Sequence, residues 1–339
     1  MSRSLYTLDL QAVRSNARRL VAVLGDAELW AVVKADGYGH GAADVAPAAL
    51  EAGATALCVT SVAEALALRP AVPGARIVVM GPSDDGDVAA ARAASLELVV
   101  WRAPIPEDVP VHLKLDTGMG RWGLAEVPAP GRDVVGLMTH FAAADSDPAF
   151  TSAQLERFLE ATAACGHLTR HVANSAAALE LPASRLDAAR CGIALYGISP
   201  FGDDPGRFGL QPALRWESEV ADVKHLATGE STGYGRRFIA TEPTWIALVP
   251  VGYADGFRRD MSGTEVLVGS ERRRVVGTVS MDVIAVETKT PVELGTRVTL
   301  LGDGVVAEDH ARVADTIGYE LVCGLNQGAP RAERRVVDG

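Results

Sequence analysis

Between residues 29 and about 200, short apolar runs alternate with alanine-rich stretches that carry helix signals. This alternation constrains the fold more than any other feature of the chain. Strands are predicted near 29–34, 55–60, 76–80, 96–101, 110–116, 134–139, 169–173 and 186–190. Between them, Ala42 to Glu51 reads as a helix stopped by Gly53. Ser61 to Arg69 reads as a helix opened by a capping box of Ser61 and Glu64, and Ser152 to Cys165 as one ended by Gly166. Eight strands alternating with helices fit a TIM-like (β/α)8 barrel. An open doubly wound sheet shows the same alternation, so this pattern leaves both open. After about residue 215 the pattern changes to short strands at 216–224, 245–251, 265–269, 272–279, 283–288 and 297–301, with one helical window at 308–317. The expected organisation is a barrel over 1–215 and a mostly-β domain over 216–339.

A chain of 339 residues suits two such domains. Its net charge of −11 would be repelled by a nucleic-acid backbone, so no nucleic-acid partner is expected. The N-terminus, Met1-Ser2-Arg3-Ser4-Leu5-Tyr6, lacks the apolar core of a signal peptide, and no apolar run reaches spanning length. The expectation is a cytoplasmic protein without a membrane partner. Cys58, Cys165, Cys191 and Cys323 show neither metal nor redox spacing and read as free thiols in a reducing compartment.

In a β/α barrel the active site lies at the C-terminal ends of the strands. Here those ends carry Lys34 and Tyr38, then Lys114-Leu115-Asp116 running into Arg121, then His140, then His171 to Ser175, then Arg190 to Ile193. Lys34 follows the apolar run Leu29 to Val33, where a partly desolvated ammonium loses its proton more readily and can form a Schiff base. The gathered cations call for an anionic ligand. Ser175 and the backbone N–H groups of Gly192 and Ile193 suit a phosphate, which barrels often bind after strands seven and eight. A Schiff-base lysine and a phosphate site together point to pyridoxal 5′-phosphate (PLP). Taken singly, His171 reads as a hydrogen-bonded core histidine and Arg190 can be an ordinary ion pair. The run Gly37 to Ala42 matches a dinucleotide fingerprint, G-x-G-x-x-A, but the second strand ends Cys58-Val59-Thr60-Ser61 without the carboxylate a ribose requires.

These motifs resemble the bacterial alanine racemases, PLP enzymes built of a barrel and a β domain. The resemblance rests on Ala31 to Gly41, Lys114 to Gly123, Ala173-Asn174-Ser175, Arg190 to Gly197, Gly252-Tyr253-Ala254-Asp255-Gly256 and Ser280-Met281-Asp282. It implies a homodimer with shared active sites. Lys34 would hold PLP and act as one base, with Tyr253 of the partner subunit as the other. Arg190 would face the pyridine nitrogen with His140 behind it. Arg121 would bind the substrate carboxylate, together with the backbone N–H of Met281 from the other subunit. Tyr38, Ser175, Gly192, Ile193 and Tyr319 would hold the phosphate, with Asn174 as their support. In some members the residue matching Lys114 is carboxylated and orients the residue matching Arg121.

The chain departs from the family pattern at Ser280, where cysteine is common, in a short interval from Arg121 to His140, and at Asn326 to Arg331. These departures leave serine or a broader amino-acid range as an alternative substrate class. A PLP carrier without turnover is the other alternative, although a carrier needs no second base. Trp30, Trp101 and Trp245 read as filling core or domain-interface positions, and Asp116 as ending its strand. His40 reads as packing at a helix start, and His112 and His225 have no evident partner.

Overall fold

The computed structural model describes residues 3–338. Eight parallel strands close a barrel: β2 (Glu28–Val32), β3 (Ala54–Val59), β4 (Ile77–Val79), β5 (Glu97–Val100), β6 (Val111–Lys114), β7 (Val134–Met138), β8 (Thr169–His171) and β9 (Ala188–Cys191). Closure comes from β9 against β2, with Trp30 opposite Arg190. Leu57, Cys58, Ile77, Val78 and Val79 are all buried, because barrel strands are covered on both faces and therefore read as continuous apolar runs.

Seven α-helices accompany the barrel strands: α1 (Leu10–Leu24), α2 (Lys34–Tyr38), α3 (Ala42–Glu51), α4 (Val62–Leu68), α5 (Asp85–Ala93), α6 (Pro148–Ala161) and α7 (Ser175–Glu180). The capping box of α4 is formed by Ser61 and Glu64 as the sequence predicts. Helix α6 begins four residues earlier than predicted. The Asp147 side chain accepts from Phe150 N at 2.9 Å, and Pro148 occupies the first turn, where its missing N–H costs nothing. The connections 101–110 and 115–133 carry no helix, and the second carries Arg121 and Trp122.

A second compact unit takes in the N-terminal segment through Ala12, residues 202–205 and the chain from Pro212 onward. Its strands are β1 (Leu5–Asp9), β10 (Leu214–Glu219), β11 (Asp222–Leu226), β12 (Ser231–Thr232), β13 (Phe238–Ile239), β14 (Thr244–Val249), β15 (Glu265–Val268), β16 (Glu271–Val276), β17 (Ile284–Thr288), β18 (Arg297–Leu301) and β19 (Glu333–Val337). Nine of them form one sheet in the order β11-β14-β17-β16-β15-β18-β10-β1-β19, and β12 pairs with β13. The predicted run 216–224 is two strands, and the window 308–317 holds helix α8 (Ala307–Val313), with a further helix, α9 (Gly318–Cys323), beyond it. Strand β1 pairs antiparallel with β10 and parallel with β19. Tyr6 of β1 stacks on Trp216 at 5.2 Å and donates its hydroxyl to Asp255 O at 3.0 Å. Among the described residues no helix is long and apolar enough to cross a membrane.

Candidate active site

Strand β2 ends at Val32, so Lys34 opens the following turn rather than closing the strand. That turn is left-handed: φ is 50° at Ala35, 51° at Asp36, 64° at Gly37, 54° at Tyr38 and 79° at Gly39. Such a conformation costs a non-glycine residue about 1 kcal/mol or more, and it persists only where its surroundings fix it. Here Glu64 Oε1 accepts from Ala35 N at 2.8 Å, Glu64 Oε2 accepts from Thr60 N at 2.6 Å, and Asp36 Oδ1 accepts from Ala42 N at 2.8 Å. The turn leaves Lys34 half-buried and buries the Tyr38 ring. His40 closes it by stacking on Tyr196 at 4.4 Å, a packing role as the sequence implied.

Lys114, at the end of β6, is only 4% exposed. Its Nζ lies 5.6 Å from the Trp122 ring and 6.0 Å from Trp101, and the two indoles stack 4.9 Å apart. Trp101 is therefore a wall of the lysine's environment rather than core filling. Burial, then the positive charges of Arg121 and Arg190, push the Lys114 ammonium down to about 8. Asp116 lies two residues past the end of the strand, not at it, and its Oδ1 accepts from the N–H groups of Gly118 and Gly120, at 3.0 and 3.1 Å. Among the described residues no carboxylate bonds to Lys114 or Arg121, and Arg121 lies over Trp122 at 5.6 Å.

Arg190 of β9 is buried and has no carboxylate partner among the described residues, so the ion-pair reading does not hold. Its Nη1 donates to His171 Nδ1 at 2.8 Å and to His171 O at 2.6 Å. Its Nη2 donates to Thr139 O at 2.9 Å and to Val172 O at 3.3 Å, and approaches His140 Nδ1 at 3.4 Å. No described group accepts from Nε. Burial lowers the guanidinium to about 10, so it stays charged at neutral pH. Burial, then the charges of Arg190, Lys114, Arg121 and Lys34, lower His140 to about 3, so its imidazole is neutral.

Asn174 caps α7, its Oδ1 accepting from Ala177 N at 3.0 Å, and this fixes the start of the helix at Ser175. Ser175 Oγ accepts from Gly192 N at 3.1 Å, joining the ends of β8 and β9. Gly192 has no room for a side chain, since a Cβ there would fall 2.3 Å from the Tyr38 hydroxyl. Tyr38, Ser175, Gly192 and Ile193 thus meet, with the N–H of Ile193 opening a short 3-10 turn.

The remaining predicted residues belong to the β-rich unit. Tyr253 is 41% exposed and Met281 is 52% exposed, on adjoining loops. Tyr253 N donates to Ser280 O at 3.0 Å and Ala254 N to Met281 O at 3.1 Å. A Cβ at Gly252 would fall 2.2 Å from Ser280 O, so the two loops are in backbone contact. Tyr319 lies half-buried in α9.

Two family models match, "Alanine racemase, N-terminal domain" over residues 8–200 and "Alanine racemase, C-terminal domain" over residues 213–333. The chain belongs to the alanine racemase family. It is 42% identical to an alanine racemase of Laribacter hongkongensis, over 98% of each chain, and 39% identical to one of Lactiplantibacillus plantarum, over 98% and 97%. Among solved structures, alanine racemase from D-cycloserine-producing Streptomyces lavendulae superposes with a TM-score of 0.92 at 34% identity, covering 100% of this chain and 98% of that one. The biosynthetic alanine racemase of Pseudomonas aeruginosa gives 0.92 at 35% identity, covering 99% and 100%. The alanine racemase family is PLP-dependent.

Sequence reasoning about this alanine racemase family member missed what lies beneath Arg190. His112, read as partnerless, bonds to both Glu97 and His171. The signal was present in the histidine two residues before Lys114, on the same side of β6 as that lysine. His225 meets Trp245 edge-on at 5.0 Å.

Proposed function

We propose that the protein interconverts L- and D-alanine with PLP as cofactor, acting as a homodimer in which Tyr253 and Met281 complete the site of the partner subunit. The observation that carries this reading is the barrel mouth itself. Lys114, Arg121 and Arg190 stand there without a carboxylate partner among the described residues, beside a hydroxyl-and-amide cradle and next to Lys34.

The residues present fit the cofactor. Ser175 Oγ, the Tyr38 hydroxyl and the N–H groups of Gly192 and Ile193 would hold a phosphate, with Tyr319 as a further ligand. The close packing of Tyr38 on Gly192 gives that cradle a fixed shape. Arg190 has one N–H direction, Nε, not spent on the protein, which suits a ring nitrogen that accepts a hydrogen bond. A guanidinium there keeps its own proton, so the ring nitrogen stays unprotonated. Lys34 supplies the amine that PLP requires for attachment. When bound, PLP supplies an electron sink that makes the substrate Cα–H acidic.

Racemisation needs a base on each face of that carbon. Lys34 Nζ is one, and the hydroxyl of Tyr253 is the other. One takes the proton, and the other returns a proton to the opposite face. Arg121 binds the substrate carboxylate, and the Met281 N–H adds a second donor. Lys114, lowered to about 8, has an uncharged fraction able to take up carbon dioxide as a carbamate with release of a proton. The resulting anion would orient Arg121 and neutralise part of the mouth. The exposure of Tyr253 and Met281 on loops tied together by backbone bonds supports their use by a partner.

The test is incubation of PLP-loaded protein with L-alanine, with L-serine in parallel, followed by chiral analysis. D-alanine forms if the reading holds. Absence of D-alanine from protein that has bound PLP overturns it.

A further inference from the structure

Arg190 is a guanidinium buried in a barrel with no carboxylate bonded to it among the described residues. A carboxylate, Glu97, lies at the end of a chain of side chains that runs from the guanidinium through the barrel interior. Arg190 Nη1 donates to His171 Nδ1 at 2.8 Å. His171 Nε2 and His112 Nδ1 are 3.0 Å apart. His112 Nε2 lies 2.7 Å from Glu97 Oε2. Glu97 is gripped in turn by Arg76, whose Nε and Nη2 donate at 2.7 and 2.9 Å.

The two ends dictate the protons between them. A guanidinium can only donate, so His171 Nδ1 carries a lone pair and its proton sits on Nε2. That proton goes to His112 Nδ1, which must also be a lone pair, leaving the His112 proton on Nε2. An ionised carboxylate can only accept, and Glu97 takes it. Every bond runs in one direction, from Arg190 to Glu97, and neither imidazole can invert without facing donor against donor.

Two independent features show that the barrel is built around this pair. Gly136 sits mid-strand in β7, where a Cβ would fall 2.1 Å from His112 Nδ1, so the strand surrenders a side chain to admit the imidazole. Trp30 walls the pair, 4.4 Å from His171 and 5.6 Å from His112, and Arg76 caps that indole at 4.5 Å.

We propose that Glu97, His112 and His171 form a one-way hydrogen-bond relay that positions the Arg190 guanidinium, with Glu97 as its remote counter-charge. The relay holds Nη1 from behind and so sets the direction of Nε, the donor assigned above to the cofactor's ring nitrogen. The inference rests on that assignment. His112 and Glu97 touch neither cofactor nor substrate and are positioning residues.

The test has a part that needs no turnover. In the cofactor-free protein labelled with 15N-histidine, His112 and His171 should both give the shifts of neutral, Nε2-protonated imidazoles. Glu97→Gln keeps an acceptor for His112 but removes the charge, and His112→Asn keeps an acceptor for His171 but severs Glu97. In the PLP-loaded protein both variants should shift the cofactor's absorption band as Arg190→Lys does. Both should lower kcat by about tenfold or more, the scale set by partners behind active-site groups, with KM for alanine little changed. If His112→Asn fails to fold, Glu97→Gln and the wild-type imidazole shifts still decide. An Nδ1-protonated or charged His171 in the wild type overturns the relay. So does an unshifted band in Glu97→Gln when Arg190→Lys shifts it, an outcome that leaves the racemase reading standing. A band insensitive to Arg190→Lys removes the assignment of Arg190 to the cofactor, and the relay with it.

Discussion

Arg331 grips both carboxylate oxygens of Asp255, at 2.7 and 3.0 Å, from the far end of the β-rich unit's sequence. Asp255 is fully buried and also accepts from Gly252 N at 2.9 Å, so it holds the turn that carries Tyr253. The same guanidinium reaches Asp282 at 2.8 Å, next to Met281. One side chain therefore fixes the two loops assigned to the partner's site. Arg331→Met removes the two short charged donors of a buried carboxylate and leaves it with Arg3 at 3.8 Å. The expected outcome is a lower Tm together with a higher KM for alanine. An unchanged Tm would contradict the clamp.

Lys34→Ala should abolish both the visible absorption of bound PLP and racemisation. Tyr253→Phe should keep the absorption and lose racemisation by about 100-fold or more, the usual contribution of a positioned acid or base. A Tyr253→Phe variant at wild-type rate would remove that residue from the chemistry.

Gly192→Ala places a methyl group 2.3 Å from the Tyr38 hydroxyl. PLP affinity should fall, and adding Tyr38→Phe should recover part of the loss, because the second change removes the nearest colliding atom while the ring Cζ at 2.7 Å remains. Titration of apo-protein with PLP measures both. Additive losses in the double variant would contradict the packing argument.

His112, His140 and His171 are all held below their ordinary value of 6.5 by burial first, with the neighbouring cations adding to it at His140 and His171. The unfolded chain takes up protons at these positions below about pH 6.5 more readily than the folded protein does, so stability falls as pH drops from there, for His140 down to about 3. His140 contributes a slope of about 1.4 kcal/mol per pH unit over that range. Denaturant unfolding between pH 7 and 4 should show this loss, and His140→Asn should reduce the slope. Equal slopes in the variant and wild type would contradict a neutral His140.

Lys114, lowered to about 8, should make activity depend on dissolved carbon dioxide. Activity should fall in buffer stripped of it and return with bicarbonate, and Lys114→Met should abolish the response.

Much of the barrel was legible because its strands are buried on both faces, so Leu29 to Val33 and Ile77 to Met80 read as unbroken apolar segments. The candidate site was legible because polar residues such as Lys114 and Arg190 stand at or near the C-terminal ends of mostly apolar strands. Strands β1 and β19 were missed because they are short and pair across nearly the whole chain length, which local pattern does not record. The start of α6 was missed because Asp147-Pro148 reads equally well as a loop. The His112–His171 bond was beyond reach for a geometric reason. Their strands are separated by β7, and the contact depends on the missing side chain of Gly136.

The most direct test of the two-base account is the Cα isotope of D-alanine formed from L-alanine in D2O during the first turnovers. Two bases on opposite faces predict product carrying deuterium at Cα, since the proton returned does not come from the substrate. D-alanine that retains the substrate's own protium would contradict the account.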